Sequence, residues 1–206
     1  MDPAAPHSRA PASVVAALPA RWRPLTGGTA VWVFMSVEVA TFGLFLLGHA
    51  WGWRGQPAVF AASQDLLHVG SAVRGTALLL WGSWLAYQGA LAHGAGRHAV
   101  AGRWLAAASV AGLLFSVNKV AEYGSAELAG VTLSTNGFWF SYLFLTGLHL
   151  LHVLGGVALF AWLAWSCSRG PVAEDAPMSV DTAAVYWHLV DLIWVLLFPI
   201  LYLMRP

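Results

Sequence analysis

Tyr186-Trp-His-Leu-Val-Asp-Leu-Ile-Trp-Val-Leu-Leu-Phe-Pro-Ile-Leu-Tyr202 is fit for lipid except at one histidine and one carboxylate. From Thr182 to Met204 Asp191 is the only formally charged residue, and the run exceeds the ~20 residues that one bilayer crossing needs. The stretch therefore reads as a spanning helix. A charged side chain at mid-bilayer costs roughly 2.5–3.5 kcal/mol even on insertion scales, so Asp191 is expected to face protein or a partner. His188 lies three residues before it, and residues three and four apart share a helix face. A buried polar stripe of His188 and Asp191, flanked by Trp187 and Trp194, is the expectation.

Working outward, the totals agree with a membrane setting. The chain of 206 residues is 59% hydrophobic and only 9% charged, with a mean hydropathy of +0.67, whereas soluble domains carry ~25% charged residues. A net charge of +1 without any basic run gives no reason to expect nucleic acid as a partner. Cys167, the one cysteine, excludes an intrachain disulfide and a cysteine-rich metal or cluster site. Residues 1–24 contain five prolines and no apolar core of signal-peptide type, and are expected to form a disordered tail. Residues 25–206 then read as a single membrane domain.

Apolar intervals between charges predict an all-α polytopic bundle of five transmembrane helices, at about 29–49, 74–93, 101–122, 138–167 and 183–204. The interval 54–65, with Gln56-Pro57, reads as a loop. The third span is tight, because only fifteen residues separate Arg103 from Lys119, about 22 Å of helix against a ~30 Å hydrocarbon core. Lys119 and Glu122 must reach an interface or face neighbours, and the plain reading is an interfacial ion pair. An N-inside, C-outside arrangement puts six Lys/Arg residues inside against four outside. Trp22, Trp51, Trp53 and Trp139 are expected near the interfaces. Small residues recur at four-residue spacing as Gly82, Ala86 and Ala90, and as Ala108, Gly112 and Ser116, the pattern of closely approaching helices.

The polar residues inside the spans are the candidates for chemistry. Glu38 in the first span is either a proton carrier, a lipid-headgroup contact or a neutral acid that fixes packing. His149 and His152, three apart on one helix, could bind one metal ion or be hydrogen-bonded core residues. They cannot be opposed axial ligands of one haem, since both approach from the same side. His188, about 8 Å from the inner end of its span, is too shallow to share a haem with them near mid-bilayer. Ideal-helix arithmetic sets Glu38 and Asp191 at similar depth, about 12–13 Å, so that they could share a polar layer. No phosphate loop, nucleophile elbow, zinc-protease helix or dinucleotide fingerprint occurs.

Together these stretches resemble subunit III of the haem-copper oxidase superfamily. Tyr186-Trp-His-Leu-Val-Asp-Leu-Ile-Trp194 is similar to the family's Trp-His-Phe-Val-Asp-x-x-Trp signature, and Thr146-Gly-Leu-His-Leu-Leu-His-Val153 to its Thr-Gly-Phe-His-x-x-His-Val signature. Glu38 in Ser36-Val-Glu-Val-Ala-Thr-Phe42 matches the family's buried glutamate, with one extra residue after the serine, and Glu122-Tyr123 resembles its Glu-Tyr or Glu-Trp pair. Against the seven-helix form of the family, the five expected spans correspond to all but its first two helices. Lys119-x-x-Glu122-Tyr123 and the ending Leu-Phe-Pro-Ile-Leu-Tyr-Leu203 look closest to the nitric-oxide-reductase-associated branch, and the five-helix length also suits the quinol-oxidase branch. The resemblance implies a non-catalytic subunit of the bacterial inner membrane without haem, copper or other redox group of its own. Its partners would be subunit I, which holds the haem and the copper or iron, subunit II, and membrane lipids. It implies a role in steadying subunit I and supporting its proton uptake. A haem- or metal-bearing electron carrier, suggested by the three histidines, and a proton-coupled transporter, suggested by Glu38 and Asp191, are the alternatives.

Overall fold

The computed structural model describes residues 28–172 and 179–204; the tail over 1–24 lies outside them. Six helices and no strand occur among the described residues: α1 Gly28–Gly55, α2 Pro57–Gln64, α3 Val69–Gly94, α4 His98–Leu128, α5 Gly137–Arg169 and α6 Val180–Tyr202. Four carry segments long and apolar enough to cross a membrane, Val31–Gly55, His98–Leu128, Gly137–Arg169 and Val180–Tyr202. With 26 residues, α3 reaches about 39 Å and so has the length of a crossing; its Arg74, Ser71, Thr76 and glycines make it less apolar. The helices extend beyond the apolar intervals at several ends, because backbone hydrogen bonding continues through polar residues once the first turns are set.

The expected loop at 54–65 instead contains α2. Pro57 stands in its first turn, where a missing amide hydrogen costs nothing and the fixed φ favours the helix. The short helix is held by burial of Phe60, whose ring meets His49, Phe138 and the Gly52 backbone. Gln64 then reaches across the fold: its Nε2 donates to the carbonyl oxygens of Leu201 and Met204, each at 3.0 Å. A helix end leaves such carbonyls without intrahelical partners. Thus α2 closes the C-terminus of α6.

At the other helix ends, the Asn136 side chain accepts from Trp139 N and caps α5, and Ser179 accepts from Thr182 N and caps α6, the usual work of short polar side chains at those positions. The core is a four-helix assembly in which α4 packs most extensively on α3 and α5, with α6 laid against α3 and α5. Trp187 of α6, fully buried, occupies a slot between three glycines. A Cβ on Gly82, Gly112 or Gly156 would approach its ring to 3.2, 2.5 or 2.8 Å. The small-residue stripes of α3 and α4 are therefore an indole seat as well as a helix contact. By contrast, α1 contacts α2, α5 and α6 and leaves Val33, Val37, Val39, Leu44, Leu47 and Trp51 exposed. Trp139, expected at an interface, is instead buried against Phe138 and Tyr142.

Candidate functional site

Three polar groups hold the site residues that the sequence singles out. The most enclosed lies between α4, α5 and α6. Lys119 is 1% exposed and Glu122 7%, and the two are one turn apart, with Nζ 3.3 Å from Oε2. Both tyrosine hydroxyls of Tyr142 and Tyr202 donate to Glu122 Oε1, at 2.5 and 2.6 Å. Lys119 in turn donates to those same two hydroxyls. The ammonium also lies 5.1 Å from the ring centres of Tyr142, Trp194 and Tyr202, within reach of the ring quadrupoles. A cation and an anion thus neutralise each other and share two hydroxyls, which is how an ion pair tolerates a low dielectric. Lys119 and Glu122, expected as an interfacial ion pair, lie inside the bundle with neighbours from α5 and α6.

His149 adjoins this cage. It is 1% exposed, stacked on the Trp194 indole at 5.1 Å and set edge-on to Phe115 at 5.7 Å. Neither ring nitrogen has a hydrogen-bond partner among the described residues. Trp194 is anchored on its other edge, where Nε1 donates to Thr76 Oγ1 at 2.9 Å.

The second group faces α1. His152 Nε2 lies 3.0 Å from Glu38 Oε2, with both side chains 16% exposed. On the other edge of the ring Nδ1 is 2.8 Å from the Leu148 carbonyl, which can only accept, so Nδ1 carries a hydrogen. The Nε2···Oε2 contact then holds one proton, either on the imidazole facing a carboxylate or on Glu38 facing a neutral ring. Tyr186 of α6 closes the site by donating to the His152 carbonyl at 2.9 Å, and Phe42 meets the imidazole edge-on at 5.7 Å. His149 and His152 share a helix but turn to different partners, and no group of three or more His, Cys, Asp or Glu suited to one metal ion occurs among the described residues.

The third group joins α3 and α6. Ser83 Oγ lies 2.5 Å from His188 Nδ1 and stands close to the carboxylate of Asp191. Asp191 is buried at 6%, with Trp187 and Trp194 buried on either side, as the helix spacing requires. His188 is not buried: it is exposed on the outside of the bundle. Three residues correspond to 300° of helical turn, so the 60° offset between neighbours on one face is enough to put His188 past the edge of the packed strip. Glu38 meets His152 of α5, whereas Asp191 lies beside Ser83 of α3.

Sequence reading did not anticipate Tyr142 and Tyr202 as cage members, nor the Glu38–His152 partnership. A signal existed for the first: the chain's only lysine sits inside an apolar helix, which demands enclosing partners. For the second, spacing within a helix says nothing about which helix faces it.

Comparison with known proteins agrees with this architecture. The family model for cytochrome c oxidase subunit III matches residues 30–205. A probable cytochrome c oxidase subunit 3 from Nocardia farcinica is 30% identical over 142 residues, covering 68% of each chain. A cytochrome c oxidase subunit 3 from Synechocystis is 33% identical over 50% of this chain and 43% of its own length. One from Thermostichus vulcanus is 36% identical over 49% of this chain and 48% of its own. The chain thus spans about half the length of several curated relatives that it matches. Helical bundle, polar clusters and a family match over nearly the whole described region converge: the chain belongs to the cytochrome c oxidase subunit III family and is a multi-pass membrane protein.

Proposed function

We propose that this protein is a non-redox accessory subunit of a bacterial respiratory haem-copper oxidase, which steadies subunit I and supports proton uptake into it. The observation that carries this reading is the Glu38–His152 contact: a carboxylate 3.0 Å from an imidazole nitrogen, each side chain 16% exposed, beside the sparsely covered α1. Such a pair can exchange a proton with its surroundings, while the enclosed Lys119–Glu122 cage cannot do so without opening the core. The reading places α3 in the membrane with the four more apolar helices, giving five spans with the N-terminus inside and the C-terminus outside. Subunits I and II are the partners, with the haem and the copper or iron in subunit I, in the bacterial inner membrane. The exposed apolar side chains of α1 suit contact with lipid or with a neighbouring subunit.

Glu38, His149, His152 and Asp191 are the proton-related and buried polar residues in this scheme. His188 serves at the outer surface, and Lys119 with Glu122 holds the fold. A second reading places the chain in a nitric-oxide-reductase assembly, favoured by Lys119-x-x-Glu122-Tyr123; the names of the relatives favour the oxidase. Stripping the chain from its complex with detergent tests the proposal. All haem should stay with the remainder, proton uptake should fall, and the released chain should show no Soret band. Haem leaving with the chain would overturn the accessory reading in favour of an electron carrier.

A further inference from the structure

The turn between α3 and α4 brings together two histidines that the functional reading does not use. His93 stands in the last turn of α3, and His98 is the first residue of α4. Gly96 between them has φ +74°, a left-handed conformation that glycine adopts without steric cost. Its amide donates to the His93 carbonyl and that of Arg97 to the Ala92 carbonyl, each at 2.9 Å. These paired bonds close the helix as in a Schellman motif. The turn is therefore tight and fixed, and it sets the two imidazoles face to edge, with ring centres 5.0 Å apart and planes at 63°.

In this pair His93 Nε2 and His98 Nδ1 are both out of solvent contact, and neither has a hydrogen-bond partner among the described residues. Two imidazoles bound to one tetrahedral ion at about 2.0–2.1 Å per nitrogen have ring centres about 5 Å apart. The observed separation matches that spacing in length; seating one ion takes a turn of one ring about its side-chain torsions, so that both nitrogens point to it. We propose that His93 and His98 form a two-histidine site for a divalent transition-metal cation at the α3–α4 turn, with water completing the coordination. His98 is half-exposed and the intervening Gly94 to Arg97 are exposed, so the ion has a route in and open positions for water. No acid occurs between Asp65 and Glu122. A donor set of imidazole nitrogens alone selects zinc, copper or nickel over calcium or magnesium, which prefer oxygen ligands. The site lies apart from Glu38–His152 and from the cage, and it stands or falls independently of the proposed subunit role.

Equilibrium dialysis of the full-length protein in mild detergent against Zn2+ reads the site directly. One ion per chain should bind. His93→Gln and His98→Gln should each weaken it by roughly tenfold or more, since even outer-shell partners of a metal are worth ~10–100-fold. Replacing the exposed His68 by glutamine should leave the affinity unchanged. Labelling of the unaltered protein with diethyl pyrocarbonate, read by mass spectrometry, gives a check that needs no variant. Zn2+ should shield His93 and His98 while Mg2+ should not, and His68 should be labelled throughout. Zn2+ binding that survives both substitutions, no binding at all, or equal labelling of His93 and His98 with and without Zn2+ would overturn the site.

Discussion

Two acid–base contacts in this bundle look alike in a residue inventory and differ in every physical respect. Lys119–Glu122 is sealed between three helices, and two tyrosine hydroxyls serve the cation and the carboxylate together. Glu38–His152 joins the sparsely covered α1 to α5, is 16% exposed on both sides, and relies on one direct contact. The first has no freedom to lose a partner without leaving another buried and unpaired. The second lies at the edge of the core, where the proposed proton exchange would not require the bundle to open. Enclosure distinguishes the first pair, and partial access the second.

Removing the cation from the cage is expected to have the largest effect. Lys119→Met leaves the Glu122 carboxylate buried without its counter-charge, a loss of about 3–5 kcal/mol, visible as a collapse in thermal stability in detergent. Adding Glu122→Gln to Lys119→Met should recover part of that loss, because the two residues act as one unit and such pairs couple by ~0.5–3 kcal/mol. Additive losses would mean that the cage is not a unit.

Next in size is the indole seat. Gly156→Ala drives a methyl group to within 2.8 Å of the fully buried Trp187 ring, an overpacking of roughly 1–3 kcal/mol, measured as a lowered midpoint of thermal unfolding. Asp191→Asn should follow at about 1–2 kcal/mol, since it alters one member of a buried group whose Oδ1 has no hydrogen-bond partner among the described residues. Complex yield from membranes should drop more than turnover per assembled complex; the reverse would make Asp191 a proton-path residue. Glu38→Gln should cost less than ~1 kcal/mol, as expected for a partly exposed pair, because the amide still donates to His152 Nε2. Turnover per haem should nevertheless fall, since the amide cannot carry the proton. His188→Gln should be smallest, within ~0.5 kcal/mol, at an exposed position where the amide can replace the contact to Ser83.

Apolar run lengths made the long helices legible in the sequence, and i,i+3 spacing put Lys119 beside Glu122 and Asp191 between Trp187 and Trp194. The same spacing misplaced His188, because a shared face is wide and the packed strip on it is narrow. Helix α2 escaped notice since eight residues carry too little periodicity, and its reason for forming lies in distant contacts to Phe138 and the end of α6. Glu38–His152 and the His93/His98 pair were illegible for a related reason. One depends on which helices adjoin, the other on how tightly a glycine closes a turn.

Membership of an oxidase complex is tested most directly by co-purification. Affinity purification of the tagged protein from native membranes in mild detergent should bring down a haem-containing subunit I in constant proportion, for the unaltered chain and for Glu38→Gln alike. A protein that is consistently recovered alone, without haem, would contradict it.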